Sequence, residues 1–243
     1  MSGAGKIWII IFSVLLLFYG CKKPSVPQTC LDVEIYSDAG VWQEGVDRIQ
    51  MLLRRQNLKF GRINADRIKN YGFNECTRAF ILPGGNEDDY WKALREAGME
   101  RIRNFISSGG GYLGICAGAY AGASRGVWEG RSYPGMLRLF PGTAIAPIPE
   151  IAPWPKNART TIRIVPNPVF SKSGTLRILY WGGPYFEGKG FGVIAVYTVI
   201  NKPAVIYGGY GAGRWVLTGP HPEYDEASHG LFYSVMDWLL RSK

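Results

Sequence analysis

The sequence predicts an α/β domain: a mostly parallel sheet with helices on both faces and a β-rich extension in its second half. Three observations predict it. Short apolar runs alternate with amphipathic helical stretches between Leu31 and Gly122, the pattern of a parallel sheet covered on both sides. From Ser124 onward the helical pattern nearly vanishes, and apolar runs punctuated by Gly and Pro replace it. The composition, 47% hydrophobic and 14% aromatic over 243 residues, supplies a sizeable core and excludes a disordered chain.

Taken in order, "LDVEIYSD" (31–38) has the Val and Ile content of a short buried strand. In "VWQEGVDRIQMLLRRQN" (41–57), Val46, Ile49, Leu52 and Leu53 recur at helical spacing, and Arg54 and Arg55 suit the negative end of the helix dipole. "LKFGRINAD" (58–66) and "RAFILPGG" (78–85) read as the second and third strands, the latter stopped by Pro-Gly-Gly. "YWKALREAGMERIRNFISSGG" (90–110) predicts an amphipathic helix with Trp91, Leu94, Met99, Ile102 and Ile106 on one face and glycines at its end. "YLGI" (112–115) is a very short fourth strand. The runs "GTAIAPIP", "TTIRIVP", "LRILYWGG", "FGVIAVYTVI" and "PAVIYGGY" then predict a partly antiparallel extension of the same sheet. "RWVLTG" (214–219) returns to a buried strand, and "EASHGLFYSVMDWLLRSK" (226–243) closes the chain as an amphipathic helix.

The N-terminus stands apart from this fold. Lys6 precedes the uncharged "IWIIIFSVLLLFYG" (7–20), which is shorter than a bilayer span and has the size of a signal-peptide core. Gly20-Cys21 resembles the end of a bacterial lipoprotein signal, although Phe18 and Tyr19 stand where that signal has Leu and a small residue. Lipidation at Cys21, an uncleaved membrane anchor and plain secretion are the three readings, in that order; all three place the domain outside the cytoplasm or at least at a membrane, and the expected location is membrane-anchored and extracytoplasmic. The organisation expected is a signal or anchor segment over 1–21, a tether over 22–29 and one domain over 30–243. The net charge of +9 comes from scattered Lys and Arg rather than a basic stripe, which suits an anionic membrane surface and argues against nucleic acid as partner.

The chemistry centres on "GICAG" (114–118). A Cys between two glycines, after a short strand and before a small-residue helix, is the setting of a nucleophile elbow, where a tight turn projects one side chain. A helix N-terminus favours the thiolate. The alternative is a small buried thiol in a tight packing turn. A nucleophilic thiol needs a base and the base needs an orienting group. Of the two histidines, His229 begins the last helix and suits capping or packing. His221 follows a buried strand, with Glu223 two residues on. Cys116, His221 and Glu223 therefore fill the roles of nucleophile, base and orienting acid.

"GICAG", "HPE" and "LPGG" together resemble the signature of the class I glutamine amidotransferases, whose fold is flavodoxin-like. The resemblance implies Cys116 as nucleophile, His221 as base, Glu223 as its orienter, and N–H groups at Gly84, Gly85 and Ala117 as the oxyanion hole. A narrower resemblance, carried by "GGGYLGICAGAYAG", "LRLFPGTAIAPI", "YWGGPYF" and "GPHPEY", is to the amidotransferase-like domain at the N-terminus of biotin–protein ligases, which also stands alone in bacteria. The Gly-Arg-Gly-Arg-type loop of the ligating domain is not in the sequence, so biotin transfer is not expected. Within "YWGGPYF", Trp181 and Tyr185 are candidates for the pocket wall, with a packed turn as the equal alternative.

In that fold the strand that follows Cys30 and the strand that follows Cys76 are neighbours, with their N-terminal ends side by side. Cys30 and Cys76 are then expected to form a disulfide in an exported domain, the alternative being two inert thiols. The expected function is thiol attack on a carboxamide or γ-glutamyl-type amide, through a thioester, ending in hydrolysis. The substrate would be a small-molecule or peptide amide. A non-catalytic module binding a small ligand or peptide on the same fold is the other reading. No cofactor is expected, and no metal, because the two histidines lie far apart with no ligand pairing. Glu87, Asp88 and Asp89 read as a solvated helix start, with the pocket mouth as the alternative.

Overall fold

The computed structural model describes residues 30–241; the expected anchor, tether and Cys21 lie outside the described residues. The first half runs β1 (Val33–Tyr36), α1 (Gln43–Arg55), β2 (Phe60–Ile63), α2 (Ala65–Tyr71), β3 (Ala79–Leu82), α3 (Glu87–Ser107), β4 (Gly111–Ile115) and α4 (Ala117–Gly122). The second half contributes β5 (Ala123–Trp128), β6 (Arg131–Pro134), β7 (Phe140–Ala146), β8 (Ala158–Ile164), β9 (Gly174–Tyr180), β10 (Tyr185–Gly188), β11 (Gly192–Tyr197), β12 (Lys202–Tyr210), β13 (Gly213–Thr218) and α5 (Glu226–Leu240).

Nine strands form one sheet in the order β2-β1-β3-β4-β13-β12-β11-β8-β9. The first five are parallel, and their order, two-one-three-four and then a last strand, is the flavodoxin-like order. The remaining four continue antiparallel. Side chains alternate across this sheet. Val33, Ile35, Ile81 and Leu113 pack with α1 and α5 on one face, while Tyr36, Phe80, Leu82 and Tyr112 meet α2, α3 and α4 on the other. The polar member of β1, Glu34, is buried and satisfied by Asn74 N–H and the Thr77 hydroxyl, both at 2.8 Å.

Two expectations need correction. The β-rich second half is not one extension of the main sheet, because β10, β7, β5 and β6 form a separate four-stranded sheet. The cause is local. α4 is short and wholly buried on a sheet face, so β5, which leaves it directly, starts above the main sheet and pairs with β6 and β7 instead. The stripe of α3 is also shifted: Trp91 is 43% exposed, and Tyr90 faces inward. Tyr90 donates to the carbonyls of Pro83 and Gly84 at 3.1 and 3.0 Å, which locks the first turn in that phase, and Arg95 at φ 54° breaks the helical path behind it.

Cys30 and Cys76 are joined by a disulfide with Cα atoms 5.3 Å apart. It links the N-terminal ends of β1 and β3, whose Val33 and Ala79 are paired residues. No helix among the described residues is long and apolar enough to cross a membrane.

Candidate active site

The site lies at the C-terminal ends of the parallel strands, where an open α/β sheet leaves room for a ligand. Cys116 sits between β4 and α4 at φ 51° and ψ −106°, a conformation L-residues rarely adopt. Its N–H donates to Thr218 O on the neighbouring strand at 2.9 Å. The flanking glycines are steric requirements. A Cβ at Gly114 would lie 2.4 Å from Gly118 O, and one at Gly118 would lie 1.9 Å from Leu82 O. The turn can therefore close only with glycine on both sides. α4 has six residues, too few for a strong dipole. The expected help from that helix is thus small.

His221 is buried where the chain leaves β13, and its N–H donates to Leu179 O at 2.9 Å. Its Nδ1 lies 2.8 Å from Glu223 Oε1, and Glu223 is fully buried. On the far side of the ring, Nε2 is buried with no hydrogen-bond partner. Gly84 brackets both remaining groups: a Cβ there would meet His221 Cε1 at 2.7 Å and Cys116 Cβ at 3.4 Å. Burial by itself would lower the imidazole pKa, but the Glu223 carboxylate and Cys116 outweigh it and raise the pKa above the usual histidine range. The Cys116 Sγ–H is oriented toward Trp181 O at 3.5 Å.

The loop after β3 supplies donors. Gly84 O accepts from Trp42 N–H at 2.9 Å and from the Tyr90 hydroxyl, so the Gly85 N–H on the same trans peptide points the opposite way. A Cβ at Gly85 would fall 1.9 Å from Gly40 O, which reserves the position for glycine. Ala117 is the first residue of α4, so its N–H has no acceptor within that helix. Gly85 and Ala117 both line the same cavity as Cys116 and His221.

That cavity holds about 640 Å³ and is walled by Trp42, Trp128, Trp154 and Trp181, with Tyr120 and Tyr133. Trp42 makes T-shaped contacts with His221 and with Trp181, each at 5.2 Å between ring centroids, and stacks on Tyr224 at 5.8 Å. It thereby covers the imidazole. Tyr185 does not line the cavity: β10 turns it away to pair with Ile145, and its ring lies 5.8 Å from the Lys202 ammonium. Glu87 is a second correction. It begins α3, but the alternative, the pocket mouth, describes it better than a solvated start, because it lines the cavity and its Oε1 is shut off from solvent. Burial raises its carboxyl to about 7, a hydrogen bond from Tyr133 opposes that rise, and the Asp88 charge adds to it. His229 is buried and packs toward Tyr233 at 6.4 Å, apart from the site.

No group of His, Cys, Asp and Glu among the described residues could hold a metal ion. Sequence reading missed Trp42, Trp128, Trp154, Tyr120 and Tyr133. Trp42 carried a usable signal, since it follows the first parallel strand on the side where ligands bind.

The profile of the family described as the N-terminal part of biotin–protein ligases matches residues 31–231. The chain belongs to that family. Within this biotin–protein ligase N-terminal family, it is 28% identical to the biotin–protein ligase of Schizosaccharomyces pombe over 176 residues, 67% of this chain and 28% of that one. It is 31% identical over 163 residues to an uncharacterised protein of Chlamydia muridarum, 63% of this chain and 62% of that one. The chain therefore spans less than two thirds of either relative. Among solved structures it is similar to a glutamine amidotransferase, with TM-score 0.64 and 18% identity over 86% of this chain and 99% of that one. It is also similar to a β-galactosidase from Rahnella sp. R3, with TM-score 0.55 and 17% identity over 88% of this chain and 32% of that one. This biotin–protein ligase N-terminal-type domain therefore has the class I glutamine amidotransferase-like fold. Relatives with such different names show that the fold alone does not decide the chemistry.

Proposed function

We propose that the domain is a cysteine amide hydrolase. One observation carries the reading: Cys116 stands on a strained elbow beside a buried imidazole that is locked to a buried carboxylate at 2.8 Å. Structural cysteines need neither partner.

The reaction follows from the geometry. The Cys116 thiolate attacks the amide carbonyl carbon, and the carbonyl π electrons move to oxygen, where the Gly85 and Ala117 N–H groups receive the charge. Imidazolium His221 gives its proton to the amide nitrogen, the C–N bond breaks, and ammonia or an amine leaves. The thioester left on Cys116 is attacked by water, with neutral His221 taking the proton. Collapse releases the acid and restores the thiolate–imidazolium pair. Glu223 holds the Nδ1 side of the ring throughout, which leaves Nε2 free to exchange the proton with the sulfur and the leaving group. No cofactor enters these steps.

The disulfide between Cys30 and Cys76 supports an oxidising compartment, in keeping with a domain held outside the cytoplasm by residues 1–21. Amidotransfer would need an acceptor site fed with ammonia, whereas hydrolysis needs only water and is the reading proposed for this chain. Biotin transfer is not part of it, and the activity of the whole ligase relative is not carried over.

The test is alkylation of Cys116 by iodoacetamide in the full chain from about pH 5 to about pH 9, read on its own peptide by mass spectrometry, beside His221→Ala. A fast reaction near pH 6 that His221→Ala slows supports the hydrolase. A rate that rises only through about 8.5, as for a free thiol, overturns it and leaves a binding module.

A further inference from the structure

The cavity has a property that amide hydrolysis alone does not require. Its walls are indole and phenol rings, and one of its acids, Glu87, is uncompensated. Tyr133 donates a hydrogen bond to the Glu87 carboxylate, but no Lys, Arg or His among the described residues forms an ion pair with it. Its Oε1 is buried without a hydrogen-bond partner. The other charged side chains on the wall, Arg131 and Asp88, are both exposed and of opposite sign, and the His221 ring is already paired with the buried Glu223 carboxylate. That leaves the Glu87 carboxyl, ionised above about pH 7, in one cavity lining with the indole and phenol rings.

Aromatic faces and a carboxylate share one kind of guest. A ring quadrupole attracts cations, most strongly ammonium and guanidinium groups that have shed water, and a buried carboxylate attracts them through its full charge. An anionic guest would be repelled by both. A neutral sugar would stack on indole but leave Glu87 unmatched. The chain as a whole carries +9, so nothing in its net charge draws a cation here. The preference is built locally.

We propose that Glu87 and the tryptophan walls make this site selective for amides that carry a positive charge: amides or short peptides bearing a protonated amine or a guanidinium. The proposal rests on the hydrolase reading for its reacting centre, with Glu87 as the specificity-determining residue. Trp128 and Trp154, whose ring centroids lie 5.2 Å apart at 80°, line the same cavity as Glu87 and Cys116.

The test uses Cys116 as its own reporter in the full chain, on its own peptide. Its labelling rate is measured with two methanethiosulfonates of similar size, one bearing trimethylammonium and one bearing sulfonate, and with neutral iodoacetamide. In the wild type at about pH 8 the cationic reagent should outrun the anionic one. Glu87→Gln should cut that ratio about tenfold, with each variant's own iodoacetamide rate used to divide out any change in Cys116 itself, and Asp88→Asn should barely move it. An unchanged ratio in Glu87→Gln, or an equal fall in Asp88→Asn, overturns the proposal. A second measurement needs no variant: benzyltrimethylammonium should protect wild-type Cys116 from iodoacetamide and phenylmethanesulfonate should not. Equal protection, or none from either, also overturns it. The neutral reagent separates the two readings, since slow iodoacetamide reaction at low pH removes the hydrolase while the charge ratio still reports on Glu87.

Discussion

At the scale of single residues, the site depends on what a buried acid does for a buried imidazole. Glu223 is fully buried, one of its oxygens bonds His221 Nδ1, and the other has no partner. An unpaired buried carboxylate is costly, so its charge is useful chiefly as the counterpart of an imidazolium. Glu223→Gln keeps the shape and removes the charge, and His221 then loses its main reason to stay protonated. Iodoacetamide alkylation of Cys116 at about pH 6 should fall at least tenfold, and should approach the wild-type rate as pH rises past about 8.5, where an ordinary thiol ionises by itself. A variant that stays fast at low pH would place the thiolate's counter-charge elsewhere. These three residues were legible from sequence because each sits in a motif whose own spacing determines its geometry: two glycines around Cys116, and one residue between His221 and Glu223.

At the scale of elements, the cavity is assembled by pieces that meet only in three dimensions, which explains what sequence did not disclose. Trp42 comes from the start of α1, Trp128 from the end of β5, and Trp154 and Trp181 from two later loops. No periodicity joins them. Glu87 read as solvent-facing because nothing near it in the chain foretells Tyr133, which reaches it from the second sheet. That sheet was itself misread as part of the first, because strand patterns reveal strands and not their partners. The consequence for α3 is measurable. The Glu87 carboxyl is ordinarily half-protonated at 4.5 and here at about 7. A carboxyl raised on folding favours the fold while protonated. That advantage is complete below the unfolded value and is lost as pH rises through about 7. Glu87→Gln cannot ionise, so it should match the wild type near pH 4 and exceed it in stability by about 1–2 kcal/mol near pH 8, after allowance for partial solvent screening. Urea melts at the two pH values check this. A wild type that is the more stable at pH 8 would mean that the carboxylate has a cationic partner in the folded chain. A gain in stability for Glu87→Gln at pH 8 would be the energetic counterpart of the selectivity proposed above.

At the scale of the whole molecule, stability and chemistry sit at opposite ends of the sheet. The disulfide joins the N-terminal ends of β1 and β3, whereas Trp42, Gly85, Cys116 and His221 all follow strand C-termini. Cys30 and Cys76 are 46 residues apart, and the crosslink encloses β1, α1, β2 and α2. Closing a loop of that length in the unfolded chain removes entropy equivalent to about 4 kcal/mol, and measured effects commonly reach about 2–4 kcal/mol. β2 is an edge strand of four residues held by β1 alone, so the enclosed segment depends on that crosslink more than the sheet centre does. The double variant Cys30→Ser, Cys76→Ser should therefore lower the urea midpoint by a margin equal to about 2–4 kcal/mol. In the folded variant the alkylation rate of Cys116 near pH 6 should stay within about twofold of wild type, because the elbow is held by Thr218 O and the two glycines rather than by the first strands. A loss of both together would mean that the parallel sheet transmits strain from its N-terminal edge to the elbow, and that Cys116 needs an oxidising compartment for its geometry as well as its stability.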